Sequence, residues 1–232
     1  MKNTLIFLHG GPGYRDYLKD YFQELESDFN CIFYDQIRGP DVRIASFNKQ
    51  LSEYVEKQDS KIYLVGHSWG GVLAAAYTIE YPKLISGLAL ISTGLKSQHW
   101  YDEYYKELEN LGLENADMSD IFLTKDEVPL GSKLLQAGAS TWSEETFDAL
   151  DESFLRTYDL TEGFSKLQMP ILNFYGEKDI RFPKRVTESF KKYNPSVVDV
   201  EIKGSGHFPF LKTAGKNKIV ENIKKYFLKN SF

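Results

Sequence analysis

The hexapeptide GHSWGG, residues 66–71, lies between two segments of different character. The preceding KIYLV is a short run of branched and aromatic residues, typical of a buried strand, whereas the following VLAAAYTIE is rich in strong helix formers. A serine between a strand and a helix lies on a sharp turn, which closes only if the residues two positions to either side are small. Gly66 and Gly70 occupy those positions. We therefore predict that Ser68 lies on a strained turn at the end of a strand.

Short apolar runs alternate with longer helical patterns through most of the chain. This alternation is typical of a mostly parallel sheet whose strands are joined by crossover helices. We predict an α/β fold with helices on both faces of a sheet of about six strands. The predicted strands are TLIFLHG, CIFYD, KIYLVG, LALIST, ILNFYG and VDVEI.

The alternation is interrupted between residues 94 and 169, where the chain contains two amphipathic helical stretches. We interpret residues 95–168 as a helical cap inserted into a core of residues 1–94 and 169–232. Caps of this kind shape a substrate pocket and shield it from water. The first stretch has apolar residues at helical spacing, namely Trp100, Tyr104, Leu108 and Leu111.

Composition and charge exclude several classes of partner. The net charge is -5 and the positive residues are scattered, so we expect neither nucleic acid nor a membrane surface to bind. The single cysteine, Cys31, cannot form an internal disulfide and is interpreted as a small core residue. We therefore predict a cytoplasmic protein that acts on a small molecule or short peptide. The oligomeric state stays open.

The histidine beside Ser68 is not the expected base for that serine. Consecutive side chains at the end of a strand point to opposite sides, so we interpret His67 as a partly buried residue that packs against the turn. Of the other histidines, His99 lies in the cap and His9 belongs to HGGPG. The remaining candidate is His207 in GSGHFPF, just after the last predicted strand.

An acid is needed to orient the imidazole and to stabilise its charged form. Asp179 ends the segment ILNFYGEKD and precedes His207, which gives the chain order Ser, Asp, His. Asp35 precedes the serine and is interpreted as a turn residue or as a support for Arg38. Asp159 lies at the end of the cap pattern, where we expect a helix-terminal or surface role.

The loop HGGPG, residues 9–13, follows the first predicted strand. A loop this rich in glycine lets the backbone approach a substrate closely and present an N–H group to it. The N–H of Gly11 and the N–H of Trp69 would together form an oxyanion hole. The helix that begins after Ser68 adds the positive end of its dipole at the same place.

Together these segments resemble the α/β-hydrolase superfamily and, within it, the proline iminopeptidase family of serine peptidases. The resemblance implies the α/β-hydrolase fold and a reaction without metal or organic cofactor. The site residues that it implies are Ser68 as nucleophile, His207 as base, Asp179 as orienting acid, and Gly11 and Trp69 as oxyanion donors. The segments that carry the resemblance are HGGPG at 9–13, YDQ at 34–36 followed by Arg38 and Gly39, HSWGG at 67–71, GEKD at 176–179 and GSGH at 204–207.

The chain differs from this family in three respects. We expect about six strands rather than eight, because the strand before HGGPG begins almost at the first residue. Ile37 interrupts what is commonly an unbroken DQRG, and the cap is shorter than in the family peptidases. In those peptidases, cap glutamates bind the free amine of the substrate. Glu103, Glu107, Glu144 and Glu145 are available here for that role, although charged residues on amphipathic helices usually form a solvated face.

The leading hypothesis is a serine hydrolase that cleaves a small, partly apolar acyl substrate through an acyl-enzyme on Ser68. We expect aromatic cap residues, among them Trp100, Tyr104 and Trp142, to contact that substrate. The bond cleaved, whether ester, thioester or N-terminal amide, stays open. The alternatives are a carboxylesterase or thioesterase with no peptidase activity and a ligand-binding sensor on a hydrolase scaffold.

Overall fold

The predicted six-stranded parallel sheet is confirmed by the structure, a computed structural model that describes residues 2–228. The strands occur where the apolar runs predict them, within a few residues at each end. Their bounds are β1 Thr4–Leu8, β2 Asn30–Phe33, β3 Ile62–His67, β4 Gly87–Ile91, β5 Ile171–Gly176 and β6 Val198–Ile202.

The order of the strands creates a crevice at one edge of the sheet. The order is β2-β1-β3-β4-β5-β6, so the chain moves outward from β1 to β2 and then returns to the other side of β1 with β3. In open parallel sheets, ligands bind at such a switch point, beyond the carboxyl ends of the strands. Leu8 pairs with Gly66 across β1 and β3. The loop HGGPG and the turn at Ser68 therefore emerge side by side.

Helices cover both faces of the sheet, as predicted. The bounds of the helices outside the cap are α1 Lys19–Phe22, α2 Ile44–Val55, α3 Trp69–Glu80, α9 Lys184–Thr187, α10 Phe190–Tyr193 and α11 Thr213–Phe227. Between β4 and β5 the chain adds α4 Ser97–Leu111, α5 Met118–Phe122, α6 Val128–Thr141, α7 Glu144–Leu150 and α8 Thr161–Ser165. A short 3₁₀ helix at Gln23–Ser27 and a π-helical turn at Asp151–Leu155 complete the helical segments.

The core consists of two layers, one on each face of the sheet. Successive residues of a strand point to opposite faces, so Ile6 packs under α2 and α3, whereas Phe7 packs under α1 and α11. Every residue of β1 and β3 is buried. Cys31 lies on the edge strand β2 and is only partly buried, so it packs at the margin of the core rather than within it.

All secondary-structure elements between β4 and β5 are helices, as the amphipathic pattern of residues 95–168 predicts. Trp100, Tyr104 and Leu108 form a small apolar cluster with Phe182. Leu111 is 50 % exposed, so its predicted place in the apolar stripe is wrong. It lies at the last residue of α4, beyond the surface that the helix buries. Among residues 2–228, no helix has the length and apolar composition needed to cross a bilayer.

The close approach of α3 to β1 depends on Gly70. A Cβ atom at Gly70 would overlap the backbone carbonyl of Leu8, and a Cβ atom at Gly66 would overlap the backbone carbonyl of Gly70. Backbone atoms cannot move aside as a side chain can. These two glycines, which the sequence singled out, therefore allow the first turn of α3 to pack directly on the sheet.

We predict that Gly70→Ala lowers the free energy of unfolding by about 3 kcal/mol or more, because β1 and α3 must separate to accommodate the new methyl group. Urea denaturation measures this change. Gly138→Ala is the matched control, since Gly138 lies inside α6 and a Cβ there would come no closer than 3.3 Å to the Tyr14 ring, a side chain that needs to shift by only a few tenths of an ångström. A Gly70→Ala protein as stable as the control would contradict the prediction.

Candidate active site

Ser68 lies on a strained turn between β3 and α3, as the sequence predicts. Its backbone has φ 55° and ψ −121°, in a region that residues with a side chain rarely adopt. The Thr93 hydroxyl, two residues after the end of β4, donates a hydrogen bond of 2.7 Å to the Ser68 carbonyl oxygen and so holds the turn in place. The strain therefore has a local support, and the Ser68 side chain lines a cavity at the carboxyl ends of the strands.

His207 and Asp179 form a buried pair beside this cavity. The Nδ1 atom of His207 lies 3.1 Å from Oδ2 and 3.3 Å from Oδ1 of Asp179, and the two side chains are 2 % and 0 % exposed. The backbone N–H of Phe182 donates to Oδ1 at 2.9 Å, so the carboxylate is fixed on both sides. An acid on Nδ1 leaves Nε2 as the basic atom of the ring.

Two of the three predicted catalytic residues, Ser68 and His207, line a cavity of about 300 Å³. Asp179 does not line it and reaches the site through His207. In the described part of the chain, neither Ser68 Oγ nor His207 Nε2 takes part in a hydrogen bond, so both are available to a substrate. The rest of the wall is mainly apolar and aromatic. This combination of an apolar wall and a few polar groups is typical of small-molecule sites.

The predicted oxyanion donors lie beside Ser68. Gly11 and Trp69 both line the cavity, and Gly11 has φ 139°, a backbone conformation that favours glycine. The backbone N–H groups of these two residues have no acceptor among residues 2–228. Trp69 is also the first residue of α3, where the helix dipole favours negative charge. The geometry is suited to stabilising an oxyanion.

His67 is fully buried rather than partly buried, and it connects three parts of the site. Its Nε2–H donates to the carbonyl oxygen of His207 at 2.9 Å. Burial holds its pKa well below the usual range, with a further contribution from His207, so the ring is neutral and Nδ1 accepts from the Tyr17 hydroxyl at 2.6 Å. The Tyr17 oxygen in turn accepts from the Gly10 N–H at 2.8 Å. Tyr17 therefore joins the HGGPG loop, here called the oxyanion loop, to the turn at Ser68. Through His67 it is also connected to the loop that carries His207.

A second set of hydrogen bonds links the oxyanion loop to the Trp69 side chain through Gln36. The indole N–H of Trp69 donates to Gln36 Oε1 at 2.7 Å, and Gln36 Nε2 donates to the His9 carbonyl oxygen at 2.8 Å. The Gln36 backbone N–H donates to His9 Nε2 at 3.1 Å. Burial lowers the pKa of His9 to about 4, which keeps this ring neutral and able to accept.

The cap is hydrogen-bonded to the loop that carries His207. Glu127 is fully buried and accepts from the Gly206 N–H at 2.9 Å and from the Thr124 N–H and hydroxyl at 2.9 and 3.0 Å. The His207 N–H donates to the Phe122 carbonyl oxygen at 2.9 Å. A carboxylate that accepts several N–H groups is stabilised without a cation. The position of His207 therefore depends on the cap.

The cap also contacts the loops after β1 and β2. The Ser143 N–H donates to the Gly13 carbonyl oxygen at 3.1 Å, and Arg38 donates to the Thr141 carbonyl oxygen at 2.8 Å. A Cβ at Gly13 would meet the Ser143 carbonyl oxygen at 2.7 Å. Backbone from the cap therefore packs tightly on the oxyanion loop.

The predicted aromatic contacts line the cavity, whereas the four cap glutamates raised by the family resemblance do not. Trp100, Tyr104 and Trp142 all belong to its wall, with Trp142 at the exposed rim. None of the four cap glutamates does. Glu103 lies 3.4 Å from Arg185, and Glu144 and Glu145 border a separate surface depression beside Arg38. The last of the four, Glu107, lies one turn after Glu103 on α4.

Two charged residues that the sequence did not single out line the cavity, namely Asp151 and Arg181. Asp151 begins the π-helical turn, and its Oδ2 accepts a hydrogen bond of 2.6 Å from Arg156 Nε, with which it forms an ion pair. Arg181 lies over the rings of Trp100 and Tyr104, with its Cζ 4.4 and 4.7 Å from their centroids. Only the folded chain brings these residues to the cavity, since no motif marks them. Among residues 2–228, no cluster of three or more histidine, cysteine or acidic side chains is arranged to hold a metal ion.

Asp35 and Asp159, for which the sequence indicates roles other than the orienting acid, lie outside the cavity. Asp35 forms an ion pair with Arg15 and accepts from the Asp16 N–H, so its proposed support of Arg38 is wrong. Arg38 turns towards the cap instead. Asp159 pairs with Lys96 at 2.8 Å near the start of α8, consistent with the helix-terminal or surface role expected for it.

Comparison with a family model places residues 3–214 in a family described as having the alpha/beta hydrolase fold. Among individual sequences, the chain is similar to a proline iminopeptidase of Thermoplasma volcanium, with 37 % identity over 77 % of this chain and 74 % of the relative. It is also similar to a proline iminopeptidase of Lactobacillus acidophilus, with 28 % identity over 78 % of this chain and 76 % of that relative.

Solved structures support the fold. An esterase from Thermogutta terrifontis superposes with a TM-score of 0.78 at 20 % identity, and the match covers 99 % of this chain and 90 % of the esterase chain. An enol-lactonase from Burkholderia xenovorans superposes with a TM-score of 0.76 at 14 % identity, and the match covers 98 % of this chain and 92 % of the enol-lactonase chain. At these identities the likeness concerns the fold alone.

We predict that Tyr17→Phe lowers kcat by about tenfold while changing KM much less, since the hydroxyl contacts Gly10 and His67 rather than the reacting atoms. The loss of its two buried hydrogen bonds should also lower the free energy of unfolding by about 1–3 kcal/mol. Steady-state kinetics and urea denaturation measure the two effects. They are to be compared at a temperature where the variant is fully folded.

Tyr21→Phe is the matched control for this substitution. Tyr21 packs on Phe210, as Tyr17 does, and its hydroxyl makes no hydrogen bond within residues 2–228. We expect it to keep normal kcat and stability. A folded Tyr17→Phe enzyme with the kcat of this control would show that the hydroxyl has no part in positioning the site.

Proposed function

The chain belongs to the alpha/beta hydrolase fold family, and on that premise we propose that it is a serine hydrolase with Ser68 as nucleophile. The observation that carries the proposal is the combination of a strained serine turn with the buried His207–Asp179 pair at one cavity. Proline iminopeptidase relatives support a hydrolytic activity. The sensor alternative does not explain why all of these features occur together.

The reaction proceeds in two halves. His207 Nε2 takes the proton of Ser68 as Oγ attacks the carbonyl carbon of the substrate, and Asp179 stabilises the imidazolium that forms. The oxyanion receives hydrogen bonds from the N–H groups of Gly11 and Trp69. Collapse of this intermediate breaks the bond to the leaving group, which takes the proton from His207. A water molecule, deprotonated by His207, then attacks the acyl-enzyme. The second tetrahedral intermediate breaks the bond to Ser68 Oγ, which takes the proton back from His207 as the acid is released.

The shape and polarity of the cavity favour a small, partly apolar acyl substrate. A volume of about 300 Å³ lies at the lower end of the range for small-molecule sites. Trp100, Tyr104 and Trp142 supply aromatic surface to its cap side. The proposal needs no metal or organic cofactor, and the cytoplasm stays the predicted location.

Two kinds of bond are candidates for cleavage, and each is favoured by a separate observation. An N-terminal amide is favoured by the proline iminopeptidase relatives. An ester is favoured by the cap, because the four glutamates that could hold a free amine lie away from the cavity. Asp151 is the acidic group that does line the cavity, and its Oδ2 is already occupied by Arg156.

We predict that a fluorophosphonate probe labels Ser68 in the folded wild-type protein. Ser68→Ala should abolish labelling and lower turnover by roughly 10⁴ to 10⁶, as other removals of a triad nucleophile do. Labelling is read by intact-protein mass spectrometry, and turnover is read with a chromogenic ester.

Ser92→Ala is the matched control for this test. Ser92 follows β4 and also has a positive φ, of 46°, but it is fully buried and does not line the cavity. It should keep both labelling and turnover. Folded wild-type protein that the probe leaves unlabelled would refute the serine hydrolase and favour the sensor.

We expect short-chain nitrophenyl esters to be better substrates than proline or alanine arylamides, judged by kcat/KM at pH 7.5. Nitrophenolate is a better leaving group than an arylamine, and in addition a free amine would have to compete with Arg156 for Asp151. N-acetylated arylamides are the control, because they lack the amine. Preference for the free-amine arylamides over both esters and acetylated amides would establish the aminopeptidase instead.

A further inference from the structure

We propose that Arg181 binds a carboxylate of the substrate inside the cavity, so that the natural substrate is an anionic acyl compound or a short peptide with a free carboxyl end. This inference rests on the proposed function, since it concerns the same site. It assigns a substrate class to a residue that the catalytic steps do not use.

Arg181 lies close to the catalytic acid but serves another part of the wall. It is two residues after Asp179, and its backbone carbonyl oxygen accepts from the indole N–H of Trp100 at 2.7 Å. The side chain then folds over the faces of Trp100 and Tyr104. Stacking of this kind fixes the plane of a guanidinium and reduces the entropy lost when the group binds a ligand.

The donors of this guanidinium are unused. Stacking occupies the faces of the group, but its five N–H donors lie at its edge. Within residues 2–228, the Arg181 side chain makes no hydrogen bond and no ion pair, although it is partly buried. A guanidinium fork matches a carboxylate in a bidentate arrangement. The free edge and the fixed plane therefore form a prepared site for that group.

The charges around the cavity also favour an anion. Asp151 is the one carboxylate among the described residues of the cavity wall, and Arg156 already neutralises it from outside that wall. Arg181 has no such counter-charge. Several tyrosines adjoin it, and its charge opposes the rise that burial causes in the pKa of Tyr14 and Tyr158. A bound carboxylate would supply the missing negative charge.

The test compares pairs of substrates that differ in one carboxylate. Methyl valerate and monomethyl glutarate place the extra carboxylate on the acyl side, and Pro-Gly-NH₂ and Pro-Gly place it on the leaving group. Succinate and adipate monomethyl esters vary the reach of the acyl pair. The measured quantity is the ratio of kcat/KM for the charged substrate to that for its neutral partner.

We expect this ratio to fall about tenfold or more in Arg181→Met for one of the two kinds of pair, because a charge-assisted hydrogen bond is lost. The kind of pair affected identifies the side of the substrate that carries the carboxylate. Asp151→Asn should raise the same ratio, since it removes a negative charge from the wall. A merely structural role of Arg181 would lower both rates together and leave the ratio unchanged.

Arg185→Met is the matched control for the charge. Arg185 lies four residues later, its side chain is 62 % exposed, and it contacts Glu103 at the surface. The ratio should stay at the wild-type value. An Arg181→Met ratio equal to that of this control, for both kinds of pair, would overturn the proposal while the hydrolase activity stands.

A binding measurement separates this proposal from the catalytic one. In the Ser68→Ala protein, the charged member of the affected pair, monomethyl glutarate or Pro-Gly, should bind more tightly than its neutral partner, as measured by ligand-observed NMR. The double variant with Arg181→Met should bind that charged compound about tenfold more weakly than Ser68→Ala alone. Equal affinities of the charged compounds in the two proteins would refute the carboxylate site. Neither result depends on labelling or turnover at Ser68.

Discussion

The packing of α3 on β1 is the contact on which the candidate active site depends. Because Gly70 lets the helix approach the Leu8 carbonyl, the turn before it is short enough to strain Ser68 and to place the oxyanion loop beside it. The switch in strand order between β1 and β3 puts both loops at one crevice. The nucleophile, the oxyanion donors and the cavity therefore follow from one backbone arrangement, which the rest of the core supports.

The sheet and the three candidate catalytic residues could be predicted because their signals are local. Buried parallel strands show as short apolar runs, and parallel topology brings the residues after each run to one edge of the sheet. The serine turn is readable because the glycines at positions 66 and 70 have a steric cause. The order of Ser68, Asp179 and His207 then follows from the order of the strands.

The residues that escaped prediction act through contacts that no local pattern records. Tyr17 lies in an ordinary loop sequence, and its importance comes from reaching Gly10 and His67 at once. Arg181 lies two residues after Asp179, but its aromatic partners belong to a helix about 80 residues earlier. The cap glutamates illustrate the reverse case. The family resemblance makes them candidates for binding a free amine, whereas a solvated helix face is the expected role, and the orientation of each helix relative to the cavity decides what a side chain can reach.

The hydrogen bonds between Glu127 and the loop of His207 make the cap part of the framework that positions this histidine. A lid that only covered a pocket could be exchanged between relatives to alter specificity and leave the chemistry intact. Here the same segment contacts the loop of His207 on one side and the HGGPG loop on the other. Under the proposed function, substrate range and reaction rate are therefore not independently tunable, and a cap of different length must bring its own replacement for Glu127 if His207 is to keep its place.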